Sequence, residues 1–170
     1  MTIDLFTGVM TGLLNCADEA LTAHERPVGW KGLVHGTEEV WDDCCDGMLF
    51  VRLAQVYPTA GPNAAFPGQD TQHRNCGINM LSATLEVGVM RCAESMDNSG
   101  NPPSAVTITA ETAGVTYDAS VLLEAIMCCL PGLAGVQASM INVWNPRPTL
   151  GGCVGGAWQV RVAVGHCGCP

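Results

Sequence analysis

The amino-acid sequence predicts an α+β domain: a mixed, mainly antiparallel sheet of about four to five strands, an N-terminal helix and a second helix packed on it, and a C-terminal hairpin with a long arm. Three patterns carry this expectation. Leu49, Val51, Leu53 and Gln55 fall on one side of an extended chain and Phe50, Arg52, Ala54 and Val56 on the other, while Thr84 to Cys92 alternates Leu85, Val87 and Val89 against Glu86, Gly88 and Met90. These two runs are expected to pair antiparallel at the centre of the sheet. Leu5, Val9, Leu13, Ala17 and Leu21, joined by Met10 and Leu14, make one apolar stripe at helical spacing. Near the end of the chain Trp158, Val160, Val162 and Val164 alternate with Gln159 and Arg161, a period of two that turns the first set inward.

Taken in order, the first helix is expected over residues 4–23, capped by Thr2 or Asp4 and finished before Pro27. Gly8 and Gly12 either weaken it or mark a close contact with a neighbour. A short strand around Trp30–Val34 interrupts the polar stretch from Glu25 to Gly47. The stretch DDCCDGMLFVRLAQVY opens on acids, turns at Asp46-Gly47 and continues as the first long strand, which Pro58 closes by removing the next ladder donor. The connection from Pro58 to Asn79 is long enough to bind something or stay mobile, with Phe66-Pro67 as its one apolar anchor. After the turn MDNSGNPP, Ser104 to Val115 reads as a short helix or irregular stretch. Asp118 is expected to cap a helix to Leu130, stopped by Pro131-Gly132. The hairpin then runs out over Gln137–Trp144, turns over Asn145–Gly156 and returns over Ala157–Val164.

At 170 residues the chain suits one domain, 1–170, of a size that buries roughly 70 % of its unfolded surface. Hydrophobic content of 48 % against 14 % charged residues leads us to expect that other subunits cover part of the surface. Sixteen acids against seven bases give a net charge of -9, with Lys31 the only lysine, which argues against gripping nucleic acid through its phosphates. An acidic wall that repels DNA fits the same numbers. Glu38, Glu39, Asp42, Asp43 and Asp46 are the candidate lumen or partner surface, with an ordinary solvated loop as the alternative. No apolar run approaches the roughly 18–20 residues of a membrane span, and MTIDLFTGVM lacks a basic leader, so a soluble chain made in the cytoplasm is expected, with no membrane partner.

Ten cysteines stand at positions 16, 44, 45, 76, 92, 128, 129, 153, 167 and 169. Their close pairs are C-C and C-G-C and not the C-x2-C of zinc sites, so no metal is expected and most read as small buried hydrophobes. His73 near Cys76 reads as a loop histidine before it reads as a ligand. Among possible disulfides, Cys76–Cys92 and Cys153–Cys167 are the candidates, their pairing not deducible from sequence. Nucleotide-binding, hydrolase and metalloprotease motifs are all missing, and GGCVGG falls inside the hairpin turn, where its glycines serve the backbone. No catalytic residue and no cofactor is expected.

The order of helix, long strand, long strand, helix and terminal hairpin, with CCDGMLFVRLAQVYP, an FP in the following loop, LEVGVMRCA, a helix ending in CC, and GGCVGGAWQVRV, resembles the tail terminator proteins of long-tailed phages of actinobacteria. The resemblance runs from about Cys44 to Val164. It implies a structural virion protein at the head–tail junction, a homohexameric ring that caps the major tail tube protein, ends tube polymerisation and docks the head-side stopper protein. Double-stranded DNA would pass through the lumen without specific binding. Closing such a ring requires two different patches per subunit. The 145–156 arm, with Trp144, Arg147, Leu150 and Val154, and the 58–79 loop are the candidates. The same features leave open another neck or connector protein, a stopper or adaptor, and a small cysteine-rich metal or thiol protein.

Overall fold

The computed structural model describes residues 6–35, 44–59, 78–96, 99–150 and 152–167. Its elements are α1 (Thr7–Ala23), β1 (Trp30–Val34), β2 (Met48–Thr59), β3 (Ile78–Cys92), α2 (Ala105–Cys129) with a 3-10 turn over Leu130–Gly132, β4 (Val136–Leu150) and β5 (Cys153–Cys167). The strands form one sheet in the order β1-β2-β3-β5-β4, in which β1 runs parallel to β2 and the other pairs are antiparallel. The α+β fold is as the sequence predicts, and β2 and β3 pair at its centre.

Alternation divides the sheet into two faces. Leu49 and Val51 of β2 meet Val89 and Val87 of β3, and Leu85 meets Val160 of β5. This face is covered by both helices, which contribute Val9, Leu13, Ala17 and Leu21 from α1 and Val121, Leu122 and Ile126 from α2 to one core. Each of these large side chains stabilises the fold by roughly 1.5–3 kcal/mol through removal from water. Phe6 stands at the N-cap of α1 and supplies no side-chain cap, and Thr2, Asp4 and Leu5 lie outside the described residues. Gly12 marks a close contact: a Cβ there would stand 2.4 Å from Leu133 Cδ2, so the leucine side chain, which packs on α1 at this point, would have to shift to admit one.

α2 differs most from expectation. It is one helix of 25 residues, capped at Ser104, whose hydroxyl accepts from Thr107 N at 3.1 Å. The β-branched run VTIT is helical throughout, and its hydroxyls bond back within the helix. Thr109, Thr112, Thr116 and Ser120 each donate to the carbonyl four residues back, at 2.7, 2.8, 2.8 and 3.0 Å. Asp118 is therefore not a cap. It lies mid-helix, fully buried, and accepts from Arg26 Nε and Nη2 at 2.7 Å each and from Arg91 Nε at 3.0 Å. The stretch Ala105–Gly132 is also long and apolar enough, on length and composition, to cross a membrane, contrary to the reading that no such run exists. Its buried carboxylate and the packing of its second half on the sheet suit a core helix.

The hairpin is also longer than expected. β4 and β5 continue to Leu150 and Cys153, so the segment read as a long turn stays paired: Asn145 with Ala157, Pro146 with Gly156 and Arg147 with Gly155. Prolines are tolerated there because β4 is an edge strand. Pro58 likewise lies within β2, opposite Leu81, where β1 no longer covers the outer edge. Gly155 is demanded by crowding, since a Cβ would lie 2.0 Å from Val89 O.

Replacing Asp118 by alanine leaves two arginines facing each other without their carboxylate. Loss of a buried partner costs about 3–5 kcal/mol, and the partial exposure of Arg26 places the result near the lower end. Urea unfolding of the oxidised protein is expected to show a fall of about 3 kcal/mol, against under about 0.5 kcal/mol for a surface control such as Ser139→Ala.

Candidate functional site

The sheet face away from the helices carries the charge. Arg52 of β2 is the direct register partner of Glu86 of β3 and forms an ion pair with it; both are buried. Arg147 Nη2, from the edge strand β4, donates to the same Glu86 Oε2 at 2.6 Å. To do so it crosses β5, where its own partner Gly155 and the adjacent Ala157 leave the space. One carboxylate thereby ties β2, β3 and β4. Arg161 is on this face opposite Thr84, and Gln159 accepts from Asn142 Nδ2 at 3.4 Å. Below this polar row Met48, Phe50, Met90 and Ala157 form a second apolar cluster with Cys44 and Cys153.

The arm residues proposed for subunit contact turn inward in part. Trp144 stacks obliquely on Trp158, centroids 5.8 Å apart, and covers Gly156; Trp158 Nε1 in turn donates to Ala119 O of α2 at 2.7 Å. Arg147 is held by Glu86, and Val154 is half-buried in β5. Leu150 ends β4, and its side chain lies outside the described residues, as does the 60–77 stretch of the proposed contact loop. Of the acidic group, Asp46 alone is described. It is exposed, in the turn before β2, and its backbone carbonyl accepts from Gly29 N at 2.7 Å. Glu38, Glu39, Asp42 and Asp43 lie outside the described residues.

The cysteines pair differently from the two bridges considered. Cys16 joins Cys129, Cys44 joins Cys153 and Cys45 joins Cys92, with Cα separations of 6.3, 6.0 and 4.2 Å. Cys153–Cys167 is excluded because the two residues are the opposite ends of one 15-residue strand, about 45 Å apart at roughly 3.3 Å per residue. Cys92 is taken by Cys45, which rules out Cys76–Cys92; Cys76 and His73 lie outside the described residues. Cys128 is an exposed thiol beside the Cys16–Cys129 bridge, at the edge of a groove of about 440 Å³ between α1 and α2.

Two charged centres escaped the sequence reading. Arg52 and Glu86 were each placed within strands expected to pair, so a charge in the middle of both was a usable signal of a cross-strand ion pair. The Asp118 site joins residues 92 and 27 positions apart, and no local pattern announces it. There the Arg26 guanidinium is held above its ordinary range by the hydrogen bond to Asp118, against the opposing effect of burial. Among the described residues no group of three or more His, Cys, Asp or Glu side chains is arranged to hold a metal ion. No known protein family matches the chain, and no curated protein sequence does.

Because Arg52 and Glu86 are buried in direct contact, their contributions are expected to be strongly non-additive. A double-mutant cycle of Arg52→Met and Glu86→Gln, read by urea unfolding, should give a coupling energy of about 1–3 kcal/mol, whereas near-zero coupling would mean the pair is screened.

Proposed function

We propose that this chain is the tail terminator of a long-tailed phage. In this reading six copies close into a ring on the last ring of tail-tube protein, stop its growth and dock the head-side stopper. The ring assembles in the host cytoplasm and works at the head–tail junction of the virion. The observation that carries the reading is the element order, one helix, two long paired strands, a second helix and a terminal hairpin, in a chain of net charge -9. An anionic bore keeps a passing polyanion from adhering, where a basic one would retain it.

A closed ring of identical copies needs two unlike patches on each. The outer face of the first half of α2 suits one of them. Val106 is 80 % exposed, Tyr117 is exposed about three turns further along the same side, and Ile108 is exposed on the far side of the intervening threonines. The intervening threonines have already given their hydroxyl protons to the helix backbone, so covering them leaves no donor unsatisfied. Met140 and Val143, exposed on β4, suit the other.

Mass measurement in solution, followed by electron microscopy of the protein mixed with tail tubes, tests the reading. A ring at the head-proximal end of the tube supports it, and binding only to portal-side components defeats it. The double variant Val106→Asp, Ile108→Asp should keep its stability within about 0.5 kcal/mol, as exposed substitutions do, and lose ring formation. Rings that persist in that variant would remove α2 from the subunit contact.

A further inference from the structure

We infer that Cys44, Cys45, Cys92 and Cys153 form a disulfide relay, in which reduction of one exposed bridge unties the turn before β2 through an internal exchange. This inference is independent of the tail-terminator reading. Cys44 and Cys45 are consecutive, and each is bonded to one of the other two. Cys92 and Cys153 are themselves direct partners in the β3/β5 register, at the last rung of the ladder. Directly opposed antiparallel residues lie about 4.5–5.5 Å apart at Cα, within the roughly 4.4–6.8 Å that a disulfide spans. A third bridge, Cys92–Cys153, is therefore compatible with the sheet as it stands.

The two existing bridges differ in access. Cys44 and Cys153 are each 3 % exposed, whereas Cys45 and Cys92 are both exposed. A small-molecule thiol meets the outer bridge first, and exposed disulfides are the labile ones. Two successive exchanges convert Cys45–Cys92 to two thiols and the small molecule to its own disulfide. The Cys92 thiolate then attacks Cys153 Sγ. The Cys92–Cys153 bond forms, the Cys44–Cys153 bond breaks, and Cys44 leaves as a thiolate that takes from solvent the proton Cys92 gave up. One two-electron reduction thus frees both cysteines of the turn while β3 and β5 become directly cross-linked.

Releasing the pair changes how β1 is held. β1 is a five-residue strand bonded on one side only, and its entry is fixed to this turn by Gly29 N to Asp46 O at 2.7 Å and Trp30 N to Gly47 O at 3.1 Å. With Cys44 and Cys45 untied, the turn and β1 become the least restrained part of the sheet. Thiol concentration then sets whether this edge is locked or loose.

The test treats the oxidised full chain with reduced glutathione, traps free thiols with N-ethylmaleimide at timed intervals and maps the peptides. The expected product carries label on Cys44 and Cys45 and a Cys92–Cys153 cross-link, with faster amide exchange at residues 29–34 and unchanged exchange in β3 and β5. Label that remains on Cys45 and Cys92 with Cys44–Cys153 intact overturns the relay, as does survival of both bridges in millimolar glutathione. In Cys92→Ser, labelling of Cys44 should be at least about tenfold slower than in the parent protein, because the attacking thiolate is gone; an equal rate also overturns it.

Discussion

The carboxylate of Asp118 is the point on which the arrangement of helices and sheet depends. It sits in the middle of a helix with no exposure to solvent, and ionised carboxylates persist in such places only when paired and hydrogen-bonded. Arg26 grips it from the loop after α1 and Arg91 from the end of β3. Arg91 also donates to the backbone carbonyls of Pro27 and Arg26 at 2.7 Å each, so three chain segments meet at one carboxylate and two guanidinium groups. That junction fixes how far α2 can slide along the sheet. The axial position it sets brings Ala119 O to Trp158 Nε1, which in turn seats Trp144 on the hairpin.

The two sheet faces solve different problems. Under the helices the side chains are aliphatic and interchangeable in kind, and volume decides what fits. On the opposite face the arrangement is specific, because Glu86 must serve Arg52 from one side and Arg147 from two strands away. The long reach of Arg147 needs a strand without bulk between them. This gives the GGCVGG segment its physical meaning: Gly155 and Gly156 pass within contact of Val89 O and the Trp144 ring, where any Cβ would force the strands apart. Their role is close approach between strands, and the cysteine within the motif fastens the same corner to the turn before β2.

Much of this fold was legible because hydrophobic periodicity is a local signal. Leu85, Val87 and Val89 against Glu86, Gly88 and Met90 could only be a two-sided strand, and the α1 stripe could only be a helix. What was misread had compensation that sequence does not display. Pro58 looked like a terminator and Pro146 and Pro148 like part of a long connection, yet each lies in a strand with an open edge, where a missing donor is tolerable. Asp118 looked like a cap because a lone carboxylate before an apolar run usually is one, and its two arginines lie far off in sequence. The cysteine pairs failed for the same reason, since bridges separated by 113, 109 and 47 residues depend on topology.

The halves of α2 show how one helix can serve both core and surface. From Asp118 onward it buries Val121, Leu122, Ala125 and Ile126, and a bridge from Cys129 to Cys16 fastens its end to α1. Before Asp118 it presents Val106, Ile108 and Tyr117 outward with only Glu111 charged. An apolar half-helix on the surface is stable alone only if its backbone and polar side chains are satisfied, and the i−4 bonds of Thr109, Thr112 and Thr116 meet that condition without solvent. The ion junction then does the remaining work. It anchors the helix at its midpoint, so the first half is held in position by the second and needs no core of its own. Such a segment can be covered by a neighbour with little loss of hydration, which is the property a subunit in a closed assembly requires of its contact face.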